Sequence, residues 1–107
     1  MEAPFVYVVD DEPGIAMLCE RVLTRAGYRV ATQTNPRMAV DYFEDNPIDL
    51  LLVDIRMPDV DGFEVIQHVQ RWQPDAAVLI MTGHGTVDTA IHALRQGVDG
   101  LILKPFK

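Results

Sequence analysis

Short apolar runs that alternate with helix-period segments constrain this chain more than any other feature. Phe5 to Val9 is rich in β-branched and aromatic residues and reads as a strand. Pro13 then offers a helix start. Ile15, Leu18, Cys19, Val22, Leu23 and Ala26 follow at the spacing of one helix face, and Gly27 is placed to end it. Tyr28 to Thr32 alternates like a less buried strand. Asn35-Pro36 is a helix cap followed by a first-turn proline, Ala39, Val40 and Phe43 give the inner face, and Asn46-Pro47 stops the helix. Leu50 to Val53 is continuously apolar, which predicts a strand covered on both faces. Asp61 with Glu64 marks a third helix start, with Val65, Ile66 and Val69 facing inward. Ala77 to Met81 reads as another fully covered strand. Thr86 can cap a fourth helix with Val87, Ala90, Ile91 and Leu94 inward and Gly97 at its end, and Leu101 to Leu103 is a fifth short strand.

The order βαβαβαβαβ predicts an α/β fold, a doubly wound parallel sheet with right-handed crossovers and helices on both faces. A chain of 107 residues holds one domain, here residues 1–107, and the sequence has no repeat, linker or low-complexity tract. The single cysteine, Cys19, excludes an internal disulfide and any multi-cysteine metal site. No apolar run is long enough to span a bilayer and the start lacks a basic, apolar leader, so the expectation is a cytoplasmic protein without a membrane contact. Nine basic residues against sixteen acidic ones give a net charge of -7, a surface that nucleic acid repels. The only lysines are Lys104 and Lys107.

In open parallel sheets, ligands bind beyond the carboxyl ends of the strands, where strand order reverses. The first strand ends in Asp10-Asp11, the third in Asp54, the fourth in Thr82-Gly83 and the fifth in Lys104-Pro105. Three carboxylates, a hydroxyl and an ammonium are thus delivered to one edge. Taken singly, each has an ordinary structural reading: acids at a helix start, a strand-end turn residue, a β-prone threonine, a solvated lysine. Gathered carboxylates repel one another, however, and a hard divalent cation with oxygen ligands, such as Mg²⁺, relieves that repulsion.

Val9-Asp10-Asp11-Glu12, Val53-Asp54-Ile55-Arg56-Met57-Pro58 followed by Asp61-Gly62, Met81-Thr82-Gly83 and Lys104-Pro105-Phe106 together resemble the receiver domain of bacterial two-component response regulators. The likeness runs from Phe5 to Phe106. It implies a flavodoxin-like five-stranded sheet of order 2-1-3-4-5. It implies that Asp54 accepts a phosphoryl group from a sensor histidine kinase or phosphotransfer domain. By the same resemblance, Asp11, Asp54 and the Arg56 backbone carbonyl would bind Mg²⁺ directly and Asp10 through water. Lys104 and the Thr82 hydroxyl would hold phosphoryl oxygens, and the Lys104-Pro105 bond would be cis. Arg56 and His84 would flank the phosphoryl group and tune its lifetime. Thr82-Gly83-His84-Gly85 is a pattern met in receivers attached to transcriptional outputs. Catalysis would extend only to the domain's own phosphorylation and dephosphorylation.

Two departures stand out. Receivers carry an aromatic switch residue three positions before the lysine. Leu101 stands there, so the coupling of Thr82 to an aromatic switch does not carry over from the resemblance. The chain also stops at Lys107, where a fifth helix would follow. The expectation is a chain truncated before that helix and lacking an output domain, with apolar side chains of strands one, three and five open to water and a tendency to homodimerise. A competing reading is a phosphorylation-independent interaction module that keeps the fold. A phosphatase of the haloacid dehalogenase type needs an acid where Arg56 stands, and neither nucleotide-binding glycine motif is present. Asp59-Val60-Asp61-Gly62 resembles part of a calcium loop but lacks its later acidic ligand. Gly62 is read as permitting a tight turn, His68 and His92 as surface residues, Trp72 as closing the third helix, and Met17, Met38, Met57 and Met81 as core or edge filler.

Overall fold

A computed structural model describes residues 2–57, 60–83 and 87–104. Its elements are β1 (Phe5–Val9), α1 (Pro13–Arg25), β2 (Arg29–Gln33), α2 (Pro36–Val40), β3 (Leu50–Asp54), α3 (Gly62–Trp72), β4 (Ala77–Thr82), α4 (Val87–Arg95) and β5 (Gly100–Leu103). The five strands form one parallel sheet in the order β2-β1-β3-β4-β5. The predicted doubly wound sheet is therefore present, with four helices around it among the described residues. The second strand is shifted one residue from its expected bounds, and β4 extends to Thr82.

The alternation of a strand sorts its side chains between the two faces. Tyr7, Val9, Leu51, Val53, Val78 and Ile80 share one buried cluster with Ala39 and Phe43 of the α2 segment, Val65, Ile66 and Val69 of α3, and Ala93 of α4. Val6, Val8, Leu52 and Met81 share the other with Cys19 of α1. Within the first cluster Tyr7 stacks on Tyr42 at 4.0 Å between ring centres and meets Phe43 edge-on. Burial, then the charge of Tyr42, pushes the Tyr7 phenol up to about 12.

Local signals account for the helix ends. Asn35 and Asp61 each accept a backbone N–H two residues on, from Arg37 and Phe63. Gly27 and Gly97 follow α1 and α4 with positive φ of 98° and 76°. Gln73 closes α3 differently, with its side chain donating to the carbonyls of Phe43 and Asn46 and accepting from the Ile48 N–H. This amide ties the α2–β3 connection to the end of α3.

Three expectations about packing need correction. On α4 the buried residue is Ala93, whereas Ala90, Ile91 and Leu94 face outward, Leu94 with 74% of its surface exposed. Only the inner half of the apolar face of α1 is covered: Ala16 and Cys19 are buried, while Leu18 and Val22 are exposed, and Met17 and Met38 are exposed as well. The apolar side chains of β1 and β3 are not open to water. Val6, Val8 and Leu52 are buried in a cluster with Met81 and with Ile15, Cys19 and Leu23 of α1. On that side the exposed large apolar residue among the described strand residues is Ile102 of β5, which pairs with Met81, while Leu103 is exposed on the opposite face. His92 is exposed but lies tilted against the Phe63 ring, 4.0 Å between ring centres, and the Arg71 guanidinium lies over Trp72. Thr86 and the side chain of Val87 lie outside the described residues.

Candidate functional site

Strand register brings the two buried acids together. Val8 pairs with Leu52 and Val9 with Val53, so the next step along β1 and β3 sets Asp10 beside Asp54. Both continue the parity of Val6, Val8 and Leu52 and so lie on the α1 side of the sheet. They stand between β1 and β3, the point from which strand order departs in both directions. On the far side of β4, the Lys104 N–H donates to the Thr82 carbonyl at 2.8 Å, which carries the register of β4 and β5 one residue further and aims the lysine back across the edge.

Asp10 is fully buried. Its Oδ1 accepts the Glu12 N–H at 2.9 Å. Its Oδ2 accepts no hydrogen bond of regular geometry, and the Lys104 ammonium at 2.8 Å compensates it as an ion pair. Asp54 is nearly buried too. Its Oδ1 accepts the Arg56 N–H at 3.2 Å and its Oδ2 accepts from Lys104 Nζ at 3.2 Å. The lysine side chain keeps 11% of its surface exposed and reaches a third carboxylate, Glu12 Oε1, at 3.6 Å. Asp10, Asp11, Glu12 and Asp54 each offer a carboxylate oxygen, all within 4.8 Å of one another. Four carboxylates thus gather at one edge, and three of them, Asp10, Asp54 and Glu12, reach the Lys104 ammonium.

The electrostatics follow from this crowding. Burial pushes the Asp54 carboxyl above its ordinary 3.8. Asp10 adds to the rise, and the Arg56 N–H and Lys104 only partly oppose it. Burial works against the Lys104 ammonium, yet hydrogen bonds and attraction from Asp10 and Asp54 outweigh it, and the lysine stays above its ordinary 10.5. Beneath the acids, Cys19 Sγ lies 3.9 Å from Met81 Sδ. Burial and the nearby Asp10 charge raise that thiol. The donor set is all oxygen and over-rich in negative charge, and one buried oxygen of Asp10 has only an ammonium for company. That fits a small hard divalent cation.

Of the residues expected at the site, Asp10, Asp11, Asp54 and Lys104 meet. Thr82 is buried at the end of β4 and Arg56 contributes its backbone, with its side chain in solvent. Leu101 is half-buried and lines a groove of about 210 Å³ with Ala90, Ala93, Leu94 and Val98. His84, Pro105 and Lys107 lie outside the described residues, and with them the expected cis bond.

Two residues at the site carry more than the sequence suggested. Glu12 stands among contiguous acids, but its reach to Lys104 depends on β5 and has no local signal. Gly62 does not have a positive φ, so it is not needed for a turn. A Cβ there would lie 2.5 Å from Ile55 Cα and 3.0 Å from the Asp54 carbonyl carbon, with the Asp54 carbonyl oxygen nearer still. Its glycine lets the start of α3 abut the end of β3.

The family model of the response regulator receiver domain matches residues 6–107. The chain belongs to that family. This receiver domain is 37% identical over 100 residues to the transcriptional regulatory protein ZraR of Klebsiella oxytoca, covering 94% of this chain and 23% of that protein. It is 36% identical over 106 residues to the DNA-binding transcriptional regulator NtrC of Escherichia coli, covering 99% of this chain and 23% of that one. The chain therefore spans less than a quarter of the length of these relatives. Among solved structures, it superposes with a TM-score of 0.90 on a CheY-like receiver domain protein from Methanospirillum hungatei, 25% identical, over 98% of this chain and 84% of that one. It superposes at 0.89 on a response regulator from Burkholderia pseudomallei with a phosphorylated aspartic acid, calcium ion and citrate, 29% identical, over 97% of this chain and 61% of that one. Among the described residues no helix is long and apolar enough to cross a membrane.

Proposed function

We propose that this receiver domain is a phosphoacceptor switch in which Asp54 takes a phosphoryl group from a phosphohistidine on a sensor histidine kinase or phosphotransfer domain. The observation that carries the reading is the meeting of Asp54 with Asp10, Asp11 and Lys104 at the switch point of the sheet. An Asp54 oxygen forms a bond to phosphorus while the phosphorus–nitrogen bond breaks and its electron pair returns to the imidazole. The product is an aspartyl phosphate.

Burial limits water at Asp54, and the Arg56 N–H holds one of its oxygens in place. Lys104 offers a positive point charge for a transferred oxygen, and Thr82 offers a hydroxyl from the end of β4. Asp11, Asp54 and the Arg56 carbonyl would hold Mg²⁺, with Asp10 behind a water. When bound, the ion neutralises charge on the transferred oxygens. The phosphorylated state would then present an altered surface to an output partner. The likeness to NtrC and ZraR supports a transcriptional one.

Incubation with Mg²⁺ and a small acyl phosphate, followed by intact-mass measurement, tests the reading. One added phosphoryl group, absent in Asp54→Asn, is the expected result. An unmodified parent chain overturns it and leaves a phosphorylation-independent interaction module, and modification mapped to Asp59 or Asp61 overturns the assignment of Asp54 as the acceptor.

A further inference from the structure

Glu12 occupies the position before α1 where a side chain ordinarily caps the helix, yet its carboxylate makes no capping bond. The backbone of Glu12 is fixed on both sides: its N–H donates to Asp10 Oδ1 and its carbonyl accepts from Ile15 and Ala16. Its side chain is instead turned to Lys104, 3.6 Å away. An ammonium has three donors. Here three carboxylates surround it, Asp10 at 2.8 Å, Asp54 at 3.2 Å and Glu12 at 3.6 Å.

These three partners are not equivalent. Asp10 and Asp54 are buried and fixed by the strands, whereas the Glu12 side chain is 63% exposed and water screens it. A phosphoryl oxygen arriving on Asp54 needs a place on the ammonium. The longest and most solvated of the three contacts yields first.

We propose that Glu12 is a positioning residue that holds the outer side of Lys104 in the resting state and competes with the incoming phosphoryl group for it. This deepens the phosphoacceptor reading and rests on it. An interaction made in the ground state and given up in the transition state raises the barrier, so Glu12 slows the loading of Asp54. Its release leaves Lys104 free to turn from a carboxylate to a phosphoryl oxygen without leaving the site.

The test compares Glu12→Gln, which keeps the length and loses the charge, with Glu12→Asp, which keeps the charge and loses the reach. The chain has only two lysines, so carbon-13 labelling of lysine gives two side-chain signals to follow by NMR. In metal-free protein the Lys104 signal should move in both variants while that of Lys107 stays. With saturating Mg²⁺ and an acyl phosphate, Asp54 labelling should speed up by about two- to fivefold in both, the worth of an exposed ion pair. An unmoved Lys104 signal, or labelling no faster than in the parent, overturns the proposal. A faster Glu12→Gln beside a parental Glu12→Asp also overturns it, because charge at a distance would then suffice. A parent chain that is not labelled on Asp54 at all defeats the phosphoacceptor reading itself, and the Lys104 signal still reports separately on the contact.

Discussion

Replacing Gly62 by alanine should unsettle Asp54, the proposed acceptor, through the backbone alone. The added Cβ would stand 2.5 Å from Ile55 Cα and 3.0 Å from the Asp54 carbonyl carbon. Carbon atoms rest at about 3.5–4.0 Å, so either the start of α3 withdraws by roughly 1 Å or the end of β3 is pushed away. Neither neighbour is a flexible side chain that could swing aside. The Gly62 N–H also donates to the Ile55 carbonyl at 3.2 Å, and withdrawal stretches that bond. Overpacking of this kind costs about 1–3 kcal/mol. The helix preference of alanine and the stiffer unfolded chain return about 0.4–1 kcal/mol. The net loss is then on the order of 1–2 kcal/mol, a sizeable part of the roughly 5–15 kcal/mol that holds a small domain together.

Thermal melting should show this as a fall of about 5–15 °C, from the usual 4–8 °C per kcal/mol at this size. Labelling of Asp54 by an acyl phosphate, measured well below the melting range, should slow by about tenfold or more, because a shift of roughly 1 Å can cost two orders of magnitude. Gly14→Ala is the matched control. It lies in the first turn of α1, and its Cβ would meet nothing within 4 Å. That variant should melt at the parental temperature or slightly above it. Should Gly62→Ala melt and react like Gly14→Ala, the close approach of α3 to β3 would not constrain Asp54 and the steric argument would be wrong.

Other expectations follow from the same site. Asp11→Ala should weaken Mg²⁺ binding by about tenfold or more in titration calorimetry, as loss of a charged ligand would, and unchanged affinity would remove Asp11 from the ligand set. With a chelator present, Asp54→Asn should melt higher than the parent at neutral pH. The folded chain holds the Asp54 proton more tightly than the unfolded chain does, so ionisation costs stability as pH rises through the window above 3.8. The gain should therefore shrink on acidification and vanish below that window, and a pH-independent difference would refute the desolvation account.

The sequence exposed those parts of this molecule that repeat with a short period. The apolar runs of β1, β3 and β5 are only a few residues long, so the polar residues that follow them, Asp10, Asp54 and Lys104, mark one edge of the sheet in the sequence itself. Helices gave less, because an apolar residue on a helix can be turned to solvent as well as to the core. Ile91 and Leu94 look like the inner face of α4, yet Ala93 fills that role, and nothing in the local pattern separates them. The α1 stripe is likewise wider than the strip that β1 and β3 have room to cover. Glu12 and Gly62 were opaque for a different reason. Each depends on a distance between elements far apart in the chain, Glu12 to Lys104 and Gly62 to the backbone of Asp54 and Ile55. Register fixes which elements are neighbours, but the approach of a helix end to a strand end is set by packing across the whole sheet. Contacts of that kind, such as Glu12 to Lys104, are therefore harder to read from sequence than the strand-end position of Asp54.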